Sequence, residues 1–104
     1  MSGEVQRLES VCARIAGEQA MRQEGVHRLR TTWCERLGVR RPSGAVACID
    51  RQGWVNIDVA IVAARHNNLR QLGIEVQQSV RNAVRNATRQ PLGRVNVRIA
   101  GIRR

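Results

Sequence analysis

The feature that most constrains the fold is one alternating segment in the middle of the chain, from Trp54 to Ala64. Its odd-numbered positions, from Val55 to Ala63, are all aliphatic, whereas its even-numbered positions mix polar and apolar residues. Alternation of this kind, rich in β-branched residues, is typical of a strand that buries one face. The segment therefore predicts a long strand in a sheet that is covered on one side only.

The residues before this strand predict a first helix. Apolar residues recur at helical spacing, which indicates a helix over about residues 3–24. Ser2 is expected to be its N-cap and Gly25 its left-handed stop. The apolar stripe of this helix consists of Val5, Leu8, Cys12, Ile15 and Ala16.

A connection and a hairpin follow the first helix. Val26 and Leu29 suggest a short extended piece, residues 33–37 one helical turn, and residues 40–44, which include a proline, a loop. Residues 45–50 should form a short strand. A tight turn then leads into the long strand, with Gly53 in the left-handed region that glycine adopts without strain.

A second helix is predicted after Asn68, which can cap it together with Gln71 in an arrangement like a capping box. Gly73 falls in its apolar stripe, where the missing side chain permits a close approach to the sheet. Pro91 and Gly93 end the helical region. The other stripe residues are Leu69, Leu72, Val76, Val80, Ala83, Val84 and Ala87. Alternation resumes at Val95, Val97 and Ile99, which predicts a final strand.

This order predicts an α+β fold, a two-layer sandwich formed by a single domain over residues 1–104. Two helices should pack on one face of a small three- to four-stranded mixed sheet, in the order helix-strand-strand-helix-strand. The chain contains no Phe or Tyr, so its core must be aliphatic. The pattern alone leaves open where the last strand lies in the sheet.

Positive charge is concentrated in the second part of the chain. The formal net charge is +10, and every basic residue is arginine. Residues 65–104 hold nine arginines against Glu75 alone, a net charge of +8. Since wholesale use of arginine is typical of a GC-rich genome, the distribution of the charge is more informative than the residue type.

The outer sector of the second helix is a candidate face for an anionic partner. It consists of Arg70, Ile74, Arg81, Arg85 and Arg89. Like charges four residues apart cost a few tenths of a kcal/mol each, and an apolar residue among them favours a contact surface. The alternative is a solvated face. Four arginines contribute about 4 kcal/mol at best on an anionic leaflet, so direct membrane binding should be weak and salt-sensitive.

The uncovered face of the sheet is a candidate assembly face. It presents short or modestly polar side chains, namely Asn56, Asp58, Val62, Asn96 and Arg98. An unpaired strand edge is a template for pairing with another chain, which favours self-association into a homo-oligomer. The alternative is an ordinary wetted sheet surface.

The residues that could carry chemistry do not form a recognisable site. Cys12, Cys34 and Cys48 are odd in number and widely spaced, and neither His27 nor His66 lies at metal-ligand spacing from a cysteine. We therefore expect no catalysis, no cofactor and no metal. Without an apolar run of about 20 residues or a signal-peptide pattern, the chain is expected to remain in the reducing interior of the cell.

An RNA-binding module is the alternative function. The order of elements and the positive charge suit a KH-like domain that binds single-stranded RNA through phosphate contacts. Against it, the chain has no G-x-x-G loop and only two tryptophans on which bases could stack.

Four stretches, taken in order, resemble the alkaline shock protein family, the small envelope stress response proteins of Gram-positive bacteria. They are Gly25-Val26, residues 55–62, residues 68–72 followed by Val76, Gln77 and Val80, and residues 95–102. The resemblance implies a non-enzymatic cytoplasmic protein, peripheral to the inner face of the cell membrane. It also implies association with a small membrane-anchor protein and with further copies of the chain. The family implies no catalytic or ligand-binding residues.

Overall fold

Two helices and six strands make up the part of the chain that the computed structural model describes, residues 2–30, 32–34, 39–41, 44–64 and 68–103. The helices are α1 (Ser2–Met21) and α2 (Leu69–Thr88). The strands are β1 (Val26–Leu29), β2 (Thr32–Cys34), β3 (Val39–Arg41), β4 (Ala45–Ile49), β5 (Val55–Ala63) and β6 (Leu92–Ile102).

Strand β5 is the centre of the main sheet. One of its edges is shared end to end by two antiparallel strands, with β4 along its first half and β1 along its second. Its other edge pairs in parallel with β6. The sheet is therefore four-stranded and mixed, and the last strand lies beside the longest one.

Both helices pack on the same face of this sheet, which confirms the predicted two-layer α+β class. The odd-numbered residues of β5 form one core cluster with residues of the two helices. The helical members are Cys12, Ala16 and Ala20 of α1, and Leu72, Val76, Val80 and Val84 of α2. These aliphatic side chains are close to fully buried, as a core without Phe or Tyr requires.

The opposite face of the sheet is partly covered, contrary to expectation. Val46, Ala60 and Val62 are 4%, 1% and 6% exposed, although they lie outside the core cluster. The side chain of Arg30 crosses β5 on this face and donates from Nη1 to the carbonyl of Ala100, 2.9 Å away. A long side chain lying over this face removes part of it from water.

The ends of α1 differ from the prediction. The helix already begins at Ser2, so Ser2 is not its cap, and it ends at Met21 rather than near Glu24. Hydrogen bonds from Arg22 N to Gln19 O and from Gln23 N to Ala20 O close its last turn. Because these bonds tighten the end of the helix, it does not need a left-handed residue, and Gly25 does not have positive φ.

The segment between β1 and β4 was predicted wrongly. Trp33 and Cys34 lie in β2 instead of a helical turn, and Arg40 and Arg41 lie in β3 instead of a loop. The two short strands pair antiparallel as a separate ladder. The remainder of the predicted turn and loop lies outside the described residues, except Gly44, which precedes β4.

The hairpin between β4 and β5 confirms its prediction. Gly53 has φ of +85°, and its amide donates to the carbonyl of Asp50 over 3.0 Å. The Asp50 carboxylate also accepts from the amides of Gln52 and Trp54. Aspartate is favoured at this position because its side chain stabilises the turn through hydrogen bonds with backbone amides.

Helix α2 begins as predicted. The side-chain oxygen of Asn68 accepts from Gln71 N at 3.1 Å, which confirms the N-cap. The Gln71 side chain does not complete a capping box but donates to Glu75 Oε1. The helix ends at Thr88, because Arg89 is left-handed with φ of 56° and its amide donates to Arg85 O.

Two positions of the apolar stripe predicted for α2 do not have the role that was expected of them. Ala87 is exposed, since the stripe leaves the sheet in the last turn. A Cβ added at Gly73 would meet nothing within 4 Å, so this glycine does not serve a close approach to the sheet.

Candidate interaction surface

The outer face of α2 carries a cluster of exposed positive charge. Arg70, Arg85 and Arg89 are exposed, and Ile74 between them is 41% exposed. Within the described part of the chain none of the three arginines pairs with a carboxylate. The structure thus brings four of the five residues of the candidate anionic-partner face to the surface.

The fifth, Arg81, is half-buried and turns toward the sheet. Its Nη2 donates to the carbonyl of Gly93, 3.3 Å away. One turn earlier, Gln77 Nε2 donates to the carbonyl of Val95 at 2.7 Å. Both side chains tie α2 to β6, so Arg81 is an anchor between the layers as well as a positive charge beside the face.

The candidate assembly face is a ladder of polar side chains at the boundary of β5 and β6. Asp58 accepts a hydrogen bond from the Asn96 side chain at 3.1 Å, and both residues are exposed. Arg98 follows on the same face and is also exposed. Val62 is buried, so this position contributes no exposed surface.

Asn56 connects the hairpin to the start of β6. Its side-chain oxygen accepts from Arg94 N at 2.9 Å, and its amide donates to Asp50 Oδ2 at 3.2 Å. A Cβ at Gly93 would lie 2.5 Å from the same oxygen. A larger residue at this position would have to displace the Asn56 side chain and with it the bond to Arg94 N.

The groups considered for catalysis lie on separate elements where the structure describes them. His27 is half-buried in β1, Cys34 lies in β2, and His66 is outside the described residues. Cys12 is buried in the core, and that burial raises the pKa of its thiol, while a hydrogen bond with Thr88 opposes the change. No cluster of three or more His, Cys, Asp or Glu side chains suited to a metal occurs in the part of the chain described.

Sequence reasoning missed Glu9, which is only 5% exposed. Its Oε2 accepts a hydrogen bond from the amide of Ile49 in β4. Glu9 also lines a groove of about 590 Å³ between α1 and the edge of β4, with Ala13, Gly17 and Ala47 among the other lining residues. A signal was present, since Glu9 is four residues after Val5 and three before Cys12, within the predicted apolar stripe.

Neither helix in the described residues has the length and apolar character needed to cross a bilayer.

Comparison with family models gives one match along the chain. The model of the alkaline shock protein family matches residues 1–104, and the description of this family is a cell envelope-related function. No curated protein matches the chain.

Among solved structures, variants of MamM CTD are similar in fold. A double variant is 21% identical, with a TM-score of 0.52, and the alignment covers 88% of this chain and 95% of that one. Another double variant is 19% identical, with a TM-score of 0.46 over 88% of this chain and 94% of the other. At this level of identity the likeness concerns the fold alone.

Proposed function

The chain belongs to the alkaline shock protein family and so has a cell envelope-related function, and from this premise we propose that it is a non-enzymatic adaptor. In this role it binds an acidic segment of a small membrane-anchored protein and associates with further copies of itself. It would then act on the cytoplasmic side, peripheral to the inner face of the membrane. Family membership confirms the resemblance drawn from the sequence; the adaptor role is the part that needs a test.

The observation that carries the proposal is the outer face of α2. Arg70, Arg85 and Arg89 are exposed, and none of them has a carboxylate partner in the described residues. Arg81 and Arg85 are four residues apart within α2, a like-charge spacing that is mildly unfavourable in an isolated helix. A face that costs folding energy and includes the exposed Ile74 is suited to an anionic partner with some apolar surface.

A protein partner fits this face better than lipid alone. Each arginine near an anionic leaflet contributes about 1 kcal/mol, so the three exposed ones contribute about 3 kcal/mol, and salt weakens this further. Such an interaction is too weak to hold a protein at a membrane. An anchored partner would supply the remaining affinity.

Self-association is assigned to the polar ladder of β5 and β6. Asp58, Asn96 and Arg98 present both hydrogen-bonding and charged groups without long apolar side chains. Such a surface supports a reversible contact between copies more readily than a permanent one.

The experiment is an affinity pull-down from native cells in gentle detergent, with the full chain as bait. The test variant carries Arg70→Glu, Arg85→Glu and Arg89→Glu. A matched variant carries Arg7→Glu, Arg14→Glu and Arg51→Glu, which makes the same change in net charge at exposed positions elsewhere. The proposal expects a small transmembrane protein with the wild type and the matched variant, and its loss with the test variant.

Two results would contradict the proposal. Recovery of the transmembrane protein by the test variant would show that the α2 face is not the docking surface. Recovery of ribosomal RNA in place of a membrane protein would favour the KH-like alternative.

A further inference from the structure

Strand β6 is a long edge strand. Among the described residues it pairs only with β5, along Leu92–Ile102. The carbonyl of Val95 points away from β5, because it accepts a hydrogen bond from Gln77 of α2. Since backbone groups alternate in direction along a strand, the amides and carbonyls of Val97 and Ile99 also point outward.

The first half of this edge is capped by a row of α2 side chains. Arg81 bonds the carbonyl of Gly93, and Gln77 bonds that of Val95. Four residues of α2 span about 6 Å along the helix axis, and two residues of β6 span about 6.6 Å along the strand, so the two spacings nearly match. Helix and strand therefore stay in step, and the next residue of the row is Gly73.

Gly73 interrupts the row, because it has no side chain to cap Val97. A Cβ built at Gly73 would meet nothing within 4 Å, so the space beside the strand is open. The structure gives the outward backbone groups of Val97 and Ile99 no partner among the described residues. Ile74, the next residue of α2, is 41% exposed and offers apolar surface next to Gly73.

The charge beside this gap is positive. Arg70 of α2 lies toward the helix side and Arg98 of β6 on the sheet side, and both are exposed. A second copy that paired through the same edge would bring its own Arg70 and Arg98 to arginines of like charge, which is unfavourable. An extended segment with alternating acidic and apolar residues would instead place carboxylates near the guanidinium groups.

We propose that the uncapped edge of β6 at Val97 and Ile99 binds an extended acidic segment of the partner protein by strand addition, with Gly73 leaving the space for it. This inference rests on the adaptor function proposed above and names the form of the docked segment. In such complexes the main-chain hydrogen bonds give affinity and the alternate side chains give specificity.

The test uses a fluorescein-labelled peptide of alternating Glu and Val, seven residues long, titrated against the full chain and followed by anisotropy. Gly73→Gln continues the row of caps, as Gln77 already does one turn later, and should weaken binding at least tenfold. Gly73→Ala is the matched control, because it changes the helix backbone equally but cannot reach Val97, and should bind within twofold of wild type. Melting temperatures check that both variants fold.

Two further measurements locate the peptide. Amide hydrogen exchange at Val97 and Ile99 should slow on binding, and a peptide with Lys in place of Glu should bind at least tenfold more weakly. Equal binding by Gly73→Gln and wild type would overturn strand addition, as would unchanged exchange at both amides. Equal binding of the Lys peptide would show that the edge does not select an acidic segment. If the free chain self-associates and Gly73→Gln abolishes this, the edge binds a second copy instead of the partner protein.

Failure of this inference is distinct from failure of the adaptor function. If Gly73→Gln still recovers the transmembrane protein in the pull-down while the arginine variant does not, the α2 face docks the partner without strand addition. If the wild type recovers no transmembrane protein, the adaptor function fails whatever the peptide does.

Discussion

The carboxylate of Glu9 in α1 accepts a hydrogen bond from the backbone amide of Ile49 in β4, with Oε2 2.8 Å from the nitrogen. The amide belongs to the edge of β4 that does not pair with β5, and the carboxylate is almost fully buried. A side chain from the helical layer thus forms a hydrogen bond with the outer backbone edge of β4, and Gln77 and Arg81 do the same at the outer edge of β6. Caps of this kind hinder pairing with other chains.

Replacing Glu9 should destabilise the protein. Glu9→Ala removes the carboxylate that accepts the hydrogen bond from the Ile49 amide, at a cost of about 1–3 kcal/mol in the free energy of unfolding. Glu9→Gln keeps an acceptor oxygen and should lose less. Urea denaturation measures both, and Glu75→Gln at an exposed position of α2 is the control, expected to change little. An unchanged midpoint for Glu9→Ala would show that the bond does not contribute to stability.

Asn68→Ala should cost about 1 kcal/mol, because it removes the acceptor for Gln71 N at the start of α2. Gln71→Ala retains that amide and loses only an exposed side-chain bond to Glu75. It should therefore change the free energy of unfolding by less than about 0.5 kcal/mol, the usual value of such pairs on a helix. Equal losses for the two variants, measured by urea denaturation, would contradict the assigned cap.

Two glycines should respond to alanine in opposite directions. Gly73→Ala places its methyl group in open space inside a helix and should stabilise the protein by about 0.5–1 kcal/mol. Gly93→Ala pushes its methyl group against the Asn56 side-chain oxygen and disturbs the bond to Arg94 N. Thermal unfolding should show a higher midpoint for the first variant and a lower one for the second. A higher midpoint for both would mean that Asn56 can move aside freely.

Stability should fall at alkaline pH partly through Cys12. Burial raises the pKa of its thiol, so the folded protein holds this proton more tightly than the unfolded chain. The contribution is complete below the thiol pKa of the unfolded chain, about 8.5, and is lost as the pH rises through the higher pKa of the folded state. One such group lowers the free energy of unfolding by at most about 1.4 kcal/mol per pH unit.

The check is urea denaturation at a series of pH values from 7 to about 10.5, above the ordinary thiol pKa. Cys12→Ala should be less stable at neutral pH, because it leaves a small cavity, but its stability should fall less steeply above the thiol pKa. Cys48→Ala, at a half-buried position, is the comparison. Parallel curves for wild type and Cys12→Ala would contradict the assignment.

The pure protein should bind anionic vesicles poorly at physiological salt. The exposed arginines of α2 supply about 1 kcal/mol each, and a Debye length of about 8 Å screens much of this. Flotation with phosphatidylserine vesicles measures the bound fraction. Binding should rise at low salt in the wild type and much less in the Arg70→Glu, Arg85→Glu, Arg89→Glu variant. Tight flotation of the wild type at physiological salt would mean that the protein needs no anchored partner.

Elements with a strong local signal could be predicted from the sequence. The alternation of β5, the cap at Asn68 and the turn at Gly53 each depend on residues close together in the chain, and the structure confirms all three. The ladder of β2 and β3 was missed because each strand has three residues, too few for a period to appear. Short strands are specified by what they pair with.

The candidate surface was predictable only in part. Helical spacing placed Arg70, Ile74 and Arg85 on one exposed face, because that face depends on the helix alone. The turning of Arg81 toward the sheet depends on the position of β6, which the sequence pattern left open. The burial of Val62 likewise depends on a distant covering of the second sheet face. The significance of Gly73 follows only from the in-step packing of α2 and β6.

The sharing of one β5 edge by β1 and β4 has a consequence for how such chains can vary in length. Arg30 N donates to Ala60 O, and Ala60 N donates to Gly44 O, so the segment leaves and rejoins the sheet at the same residue. Closing a longer loop between two fixed ends costs only about 0.6 kcal/mol for each doubling of its length. Insertions in this segment that leave the β2–β3 ladder intact should therefore be tolerated by the sheet, which makes it a natural position for homologues to diverge or for a tag to be inserted.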